Sequence, residues 1–337
     1  MPFGRDGICE GIWAPRILSL STSVLASLLS VITIPGNLLI CISVLKNPNK
    51  DLRSSFNVFV LNLAFSDLIS GLVTEPIFVW YHASEAHGDP VTRFLWVVHV
   101  TYFISCLASL LSIAALAIDR YLTVTSRYRR KIAIHKAVYV SIAIWLLSFS
   151  ISMIYFATGF YKFVLIFSNV ATMTTLGIIT FSYVKIYQSL HSHIDKVASS
   201  IRSRSQVKIL KYEKKATRAF LYILVVFIFF NVPSCIMAYV INFCVTCDCE
   251  TIHWLRDFQF LSALFNCSAN QFLYALRMPL FIRAMRSVLK WCPCSLPCVS
   301  RIDVTSEVIP SVSKAKQRKS SNNEESNNDK HEITRNK

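Results

Sequence analysis

The chain has 337 residues, 53% of them hydrophobic and 16% charged, with a formal net charge of +16. A soluble domain carries nearer ~25% charged residues, so the composition excludes an ordinary soluble globular protein. The positive charge lies between and after long apolar runs, which argues against a nucleic-acid-binding surface.

A spanning helix needs about 20 mostly apolar residues to cross a bilayer. Such runs are predicted at 17–45, 54–81, 94–126, 134–159, 163–190, 216–242 and 254–275. The fold class is therefore an all-α membrane protein, a bundle of seven transmembrane helices. Residues 1–16 are too few for a folded domain and read as a short extracellular N-terminus. The first run is too long for a cleaved signal peptide and reads as a retained signal-anchor. Residues 17–275 form the membrane domain.

Orientation follows from the basic residues. Lys46, Lys50 and Arg53 follow the first span. Arg127, Arg129, Arg130 and Lys131 follow the third. Lys196, Arg202, Arg204, Lys208, Lys211, Lys214 and Lys215 lie between the fifth and sixth. The alternate loops hold few. The N-terminus is thus expected outside and the C-terminus in the cytoplasm, at the plasma membrane.

Ionisable groups inside spans are expensive and mark function. The second span carries Asp67 and Glu75. The third carries His99, Tyr102 and Ser109, and ends in Asp119-Arg120-Tyr121. In the seventh, Asn266, Asn270 and Tyr274 recur at i, i+4 and i+8 and share a face. Asp67 with Ser109, Asn266 and Asn270 makes a candidate small-cation site; a protonated Asp67 in a hydrogen-bonded polar core is the alternative. Glu75, His99 and Tyr102 are candidate ligand-pocket groups, with plain packing as the competing role. Arg120 is expected to pair locally with Asp119, and with Glu213 if the third and sixth helices pack. Pro233 removes a backbone hydrogen bond in mid-span six and kinks it; Phe227 packs inward below it. Tyr183 lies near the inner end of the fifth span.

Cys9, Cys244, Cys247 and Cys249 fall outside the membrane, where disulfides persist. One local bridge within Cys244–Cys249 is expected, and Cys9 pairs with the cysteine left over. Sequence leaves the connectivity open, and a zinc site with His253 is the competing reading. Residues 278–291 form an amphipathic helix on the inner surface, with Arg283, Arg286 and Lys290 toward headgroups. Cys292, Cys294 and Cys298 beyond it are palmitoylation candidates. Residues 292–337 read as a disordered cytoplasmic tail.

Taken in order, these residues resemble the rhodopsin-like, class A G-protein-coupled receptors over about residues 17–291. The marks are Gly36-Asn37, Leu63-Ala64 to Asp67, Asp119-Arg120-Tyr121, Trp145, Tyr183, Phe227 with Pro233, and Asn270 to Tyr274. The resemblance implies a sodium pocket at Asp67, Ser109, Asn266 and Asn270. It implies that Asp119, Arg120, Tyr121, Tyr183, Glu213, Asn270 and Tyr274 form the coupling switch, and that Phe227, Asn231 and Pro233 form the hinge of helix six. No cofactor is required; Na+ is the candidate allosteric ion. Expected partners are an unidentified extracellular peptide, lipid or small molecule, a heterotrimeric G protein, arrestin, a receptor kinase and membrane lipids. Ser300, Thr305, Ser306, Ser320 and Ser321 are candidate phosphorylation sites.

The departures from the family pattern are specific. Leu95 stands where a bridging cysteine is usual, Thr175 and Gln271 where prolines are, and Asn231 where a tryptophan is. A missing outer bridge, a short second outer loop and a Cys-rich third outer loop resemble the melanocortin, adenosine and cannabinoid branch. Tyr102 matches the amine-binding aspartate, Ala238 the adenosine-binding asparagine and Leu264 the retinal lysine. The competing functions are a non-signalling scaffold or heteromer partner, and a transporter or channel. No nucleophile elbow or phosphate-binding glycine loop appears, so no enzyme is expected.

Overall fold

The computed structural model describes residues 9, 12–46, 52–89, 93–125, 132–198, 204–277 and 279–289. The side chains of 161, 168, 190–198, 204–220, 223, 273–281 and 289 are outside that description. Among the described residues the chain is helical, with no strand. The helices are α1 Arg16–Lys46, α2 Ser55–Ala86, α3 Leu95–Thr125, α4 Ile134–Thr158, α5 Phe160–Ala198, α6 Arg204–Phe243, α7 Cys249–Arg277 and α8 Pro279–Leu289.

Six of the described helices, α1 to α6, are long and apolar enough to cross a membrane. The seventh, α7, carries Arg256 and Asp257 near its start and Gln259, Asn266, Asn270 and Gln271 further along, and these together dilute its apolar run. Packing closes a ring: α1 lies on α2 and α7, α6 on α7 and α5, α5 on α3, and α3 and α2 share α4. The short α8 packs against α1 and α7. Cys9 and Cys249 lie at one end of the bundle, Arg120 at the other; these ends are called the cystine face and the Arg120 face.

Local chemistry sets the helix ends. Ser54 caps α2, its hydroxyl accepting from the Asn57 N–H. Gly88 and Gly159 follow α2 and α4 at φ 85° and 78°, a region open to glycine. Within α2 a π-turn spans Ser70–Thr74. At about 100° per residue, eight residues would place Glu75 about 80° round from Asp67. The extra residue of the π-turn brings them back onto nearly one face.

In lipid, apolar surface gives helices little reason to associate, so packing and interhelical hydrogen bonds carry the bundle. Phe59, Leu63, Ile113, Leu116, Ile179 and Phe227 fill its centre. Asn62 ties three helices: its amide donates to Ser112 Oγ at 2.7 Å, and Trp145 Nε1 donates to its Oδ1 at 2.8 Å. Ser70 meets Ser105 at 2.8 Å and Thr74 meets Thr101 at 3.1 Å, zipping α2 to α3 through the π-turn.

Three expectations change. The second helix does not stop near residue 81 but runs to Ala86, because Tyr81, His82 and Glu85 are buried against partners from α1 and α7. The fourth run holds a break at Met153–Ile154, between Ile134–Ser152 and Tyr155–Thr158. Helices five and six continue well past their apolar runs, to Ala198 and from Arg204.

Candidate functional site

On the Arg120 face, α3 ends with Asp119 buried and Arg120 half-buried. Asp119 Oδ1 accepts from Ser55 Oγ at 2.6 Å, so α2 holds this carboxylate. The Arg120 guanidinium lies over the Phe56 ring, 3.7 Å from its centroid, a cation–π contact. Tyr121 packs on Phe181 of α5, and Tyr183 stacks on Tyr187. The side chains of Glu213 and Tyr274 lie outside the described residues, so the expected Arg120–Glu213 pair does too.

Deeper in the bundle, Asn270 Nδ2 donates to Asp67 Oδ2 at 3.0 Å. Asp67 Oδ1 and Ser109 Oγ are buried without hydrogen-bond partners. Ser109 and Asn266 line a narrow, water-sized cavity, together with Ser70, Tyr102, Asn231 and Cys267. Of the four residues expected to hold sodium, Asp67 and Asn270 are joined by a hydrogen bond, and Ser109 and Asn266 line the cavity. A buried carboxylate oxygen and a hydroxyl without partners suit a small hard cation, whose ligands are oxygens.

The stretch of α6 around Pro233 carries polar groups. Asn231 Nδ2 donates to the Phe227 carbonyl at 3.0 Å, and Ser262 of α7 donates to the Phe230 carbonyl at 2.7 Å. Pro233 lacks the N–H that would serve the turn below it. These side-chain donors attend carbonyls on the same stretch of α6.

Toward the cystine face, His99 Nδ1 meets the Tyr155 hydroxyl at 2.9 Å and its ring lies 4.2 Å from Phe160. Tyr102 packs on Phe260 at 4.7 Å. His99 and Tyr102 therefore share one aromatic cluster. Glu75 is fully buried on α2, and neither carboxylate oxygen has a hydrogen-bond partner. Nothing in the described contacts joins it to His99 or Tyr102.

A second polar group, absent from the candidates named from sequence, joins α1, α2 and α7 beneath the cystine face. Glu85 Oε2 accepts from Ser19 Oγ at 2.7 Å and lies 3.0 Å from His82 Nδ1. Asp257 Oδ2 accepts from Thr22 Oγ1 at 3.0 Å and lies 3.7 Å from His82 Nδ1. Arg256 Nε donates to Asp257 Oδ1 at 2.8 Å, and its Nη2 is 4.0 Å from Glu85 Oε2. All six side chains are buried. The available signal was Arg256-Asp257 inside the seventh apolar run, a charged pair that a membrane tolerates only with partners.

The cysteines on this face form two bridges, Cys9–Cys249 and Cys244–Cys247. The local pair and the left-over cysteine of the sequence reading are thereby assigned. His253 Nε2, 3.0 Å from the Ile12 carbonyl, adds a second tie between the N-terminal segment and α7. In the first turn of α7, the Thr251 hydroxyl donates to Asp248 just before the helix and holds that exposed carboxyl below its ordinary range. Cys292, Cys294, Cys298 and the tail serines lie outside the described residues.

The family model described as 7 transmembrane receptor (rhodopsin family) matches residues 36–163. The octopamine receptor beta-2R of Chilo suppressalis is 22% identical, over 85% of this chain and 83% of its own length. The melatonin receptor type 1B-B of Danio rerio is 26% identical, over 75% of this chain and 78% of its own. The D(1)-like dopamine receptor of Takifugu rubripes is 35% identical over 45% of this chain and 32% of its own. The crystal structure of squid rhodopsin superposes with a TM-score of 0.72 at 18% identity, covering 90% of this chain and 96% of that one. That likeness establishes the seven-helix bundle. With Asp67, Arg120, Trp145, Pro233 and Asn270 each on its own helix, this multi-pass membrane protein has the seven-helix fold of squid rhodopsin and is similar over residues 36–163 to the rhodopsin family of receptors.

Proposed function

We propose that this protein is a rhodopsin-like, class A G-protein-coupled receptor that carries an extracellular ligand signal to a heterotrimeric G protein by an outward swing of α6 at the Arg120 face. The observation that carries the reading is Arg120 itself, a cation at the end of α3 beside an Asp119 held by Ser55. The cystine face is extracellular on this reading, because disulfides persist there, and the basic loops lie at the Arg120 face in the cytoplasm. Pocket occupancy shifts a two-state equilibrium toward an open inner face. The test is G-protein dissociation across all subtypes in cells expressing wild type and Arg120→Ala at equal surface levels. A basal or ligand-driven response that Arg120→Ala alters supports the reading; silence in both sinks it in favour of a scaffold.

Na+ is the proposed allosteric ion, held by Asp67, Ser109, Asn266 and Asn270. The partnerless Asp67 Oδ1 and Ser109 Oγ support this. The ligand pocket is assigned to His99 and Tyr102 with their aromatic neighbours, and Glu75 supplies a buried carboxylate on α2. The relatives named above are amine and melatonin receptors, yet Tyr102 occupies the position of the amine-binding aspartate. Within class A we place the chain nearest the melanocortin, adenosine and cannabinoid branch, on Leu95, Thr175 and the cysteines before α7. Palmitate on Cys292, Cys294 and Cys298, arrestin, a receptor kinase and membrane lipids complete the proposed partners. The scaffold reading has its own support in Asn231 and Gln271, which replace two family switch residues.

A further inference from the structure

Gln271 stands where the family carries a proline, and its side chain has a specific seat. Its Nε2 donates to the Ile32 carbonyl of α1 at 2.9 Å. A Cβ built on Gly36 would collide with the Gln271 carboxamide, so only glycine leaves room for it. Pro35, beside Gly36, lacks an N–H and opens the adjacent turn of α1. Gly36 thus supplies the notch and Ile32 the acceptor. One turn toward the cystine face, Thr33 meets Ser268 at 2.6 Å, a second bond across the same seam. Asn270, the neighbour of Gln271, reaches the other way, to Asp67 of α2. Adjacent residues of α7 therefore fasten it to α1 and α2 at one level.

The seat is only half satisfied. Gln271 is buried, yet its Oε1 has no hydrogen-bond partner. A buried acceptor without a donor is costly, which favours leaving the notch once a competing position is offered. No proline interrupts α7 between Cys249 and Arg277, so this helix has no proline hinge at which to bend.

We propose that Gln271 is the positioning residue that sets the resting place of α7, and that its withdrawal from the Gly36 notch replaces the flexing of a proline kink during activation. The proposal rests on the receptor reading for its signalling half; its structural half does not.

The test uses the full-length receptor in lipid nanodiscs, comparing wild type, Gly36→Ala, Gln271→Ala and the double variant. Thermal unfolding and hydrogen exchange of the α7 segment after Ser268 are measured. Each single change lowers the melting temperature by several degrees and speeds exchange. The double variant recovers most of both, because the added methyl fills the space the amide leaves. Losses that simply add would overturn the notch. Gln271→Met covers the case in which Gly36→Ala does not fold, since it keeps the volume and removes the donor. It is expected to melt near wild type, exchange faster, and change basal G-protein dissociation by about twofold or more. Wild-type exchange and dissociation in Gln271→Met would refute the latch. If exchange changes but Arg120→Ala leaves all G-protein responses untouched, the latch stands and the receptor reading falls.

Discussion

Ser55 Oγ donates to Asp119 Oδ1 at 2.6 Å, so the start of α2 holds the acid at the end of α3. Both side chains are buried. Ser55→Ala leaves that carboxylate short of a donor, at an expected cost of about 1–3 kcal/mol. Thermal unfolding of purified Ser55→Ala should show a lower midpoint. Basal G-protein dissociation should shift with it, because Arg120 is the next residue. An unchanged midpoint would mean that Asp119 is served from elsewhere.

Glu75 presents the opposite situation. A buried carboxylate with neither oxygen partnered disfavours the folded state. Glu75→Met keeps the volume and removes both oxygens. It should raise the melting temperature at neutral pH, with a gain of about 1–3 kcal/mol. A fall on substitution would show that the carboxyl group is compensated, for example by a bound cation.

The group beneath the cystine face should resist single changes badly. Arg256→Ala leaves Asp257, Glu85 and His82 buried with too little positive charge. Removing one member of a buried ion pair costs about 3–5 kcal/mol. Surface expression of Arg256→Ala should collapse, while a substitution at the lipid-facing Leu146 of α4 should leave it near wild type. Normal expression of Arg256→Ala would show that the group is dispensable.

The bridges make a separable prediction. Replacing Cys9 and Cys249 together by serine should cost about 2–5 kcal/mol, the usual range for a native disulfide. The short Cys244–Cys247 loop should matter less, because it constrains few residues. Melting curves of the two double variants, with and without reductant, decide the order.

Much of the bundle was legible because a bilayer demands long apolar runs. The third run, 94–126, differs from α3, Leu95–Thr125, by one residue at each end. Asp67 and Asn270 were legible as polar groups in apolar surroundings, and the structure joins them. Other features had no local signal. His82 and Glu85 look like the start of a loop until Ser19, Thr22 and Asp257 arrive from distant sequence. The polar ends of α5 and α6 stay helical in water, where hydropathy no longer marks a boundary. The π-turn at Ser70–Thr74 carries no residue that announces it. Nor does Gln271 point to Gly36, since that contact depends on the register of α1 against α7.

The Cys9–Cys249 bridge joins residues 240 apart in sequence, so the backbone from α1 to the start of α7 is a closed covalent loop. One proteolytic cut between α5 and α6 would therefore release nothing. The nicked protein would run as a single species without reductant and as two fragments with it. The first and last helices of the bundle stay tethered even when the chain between them is broken.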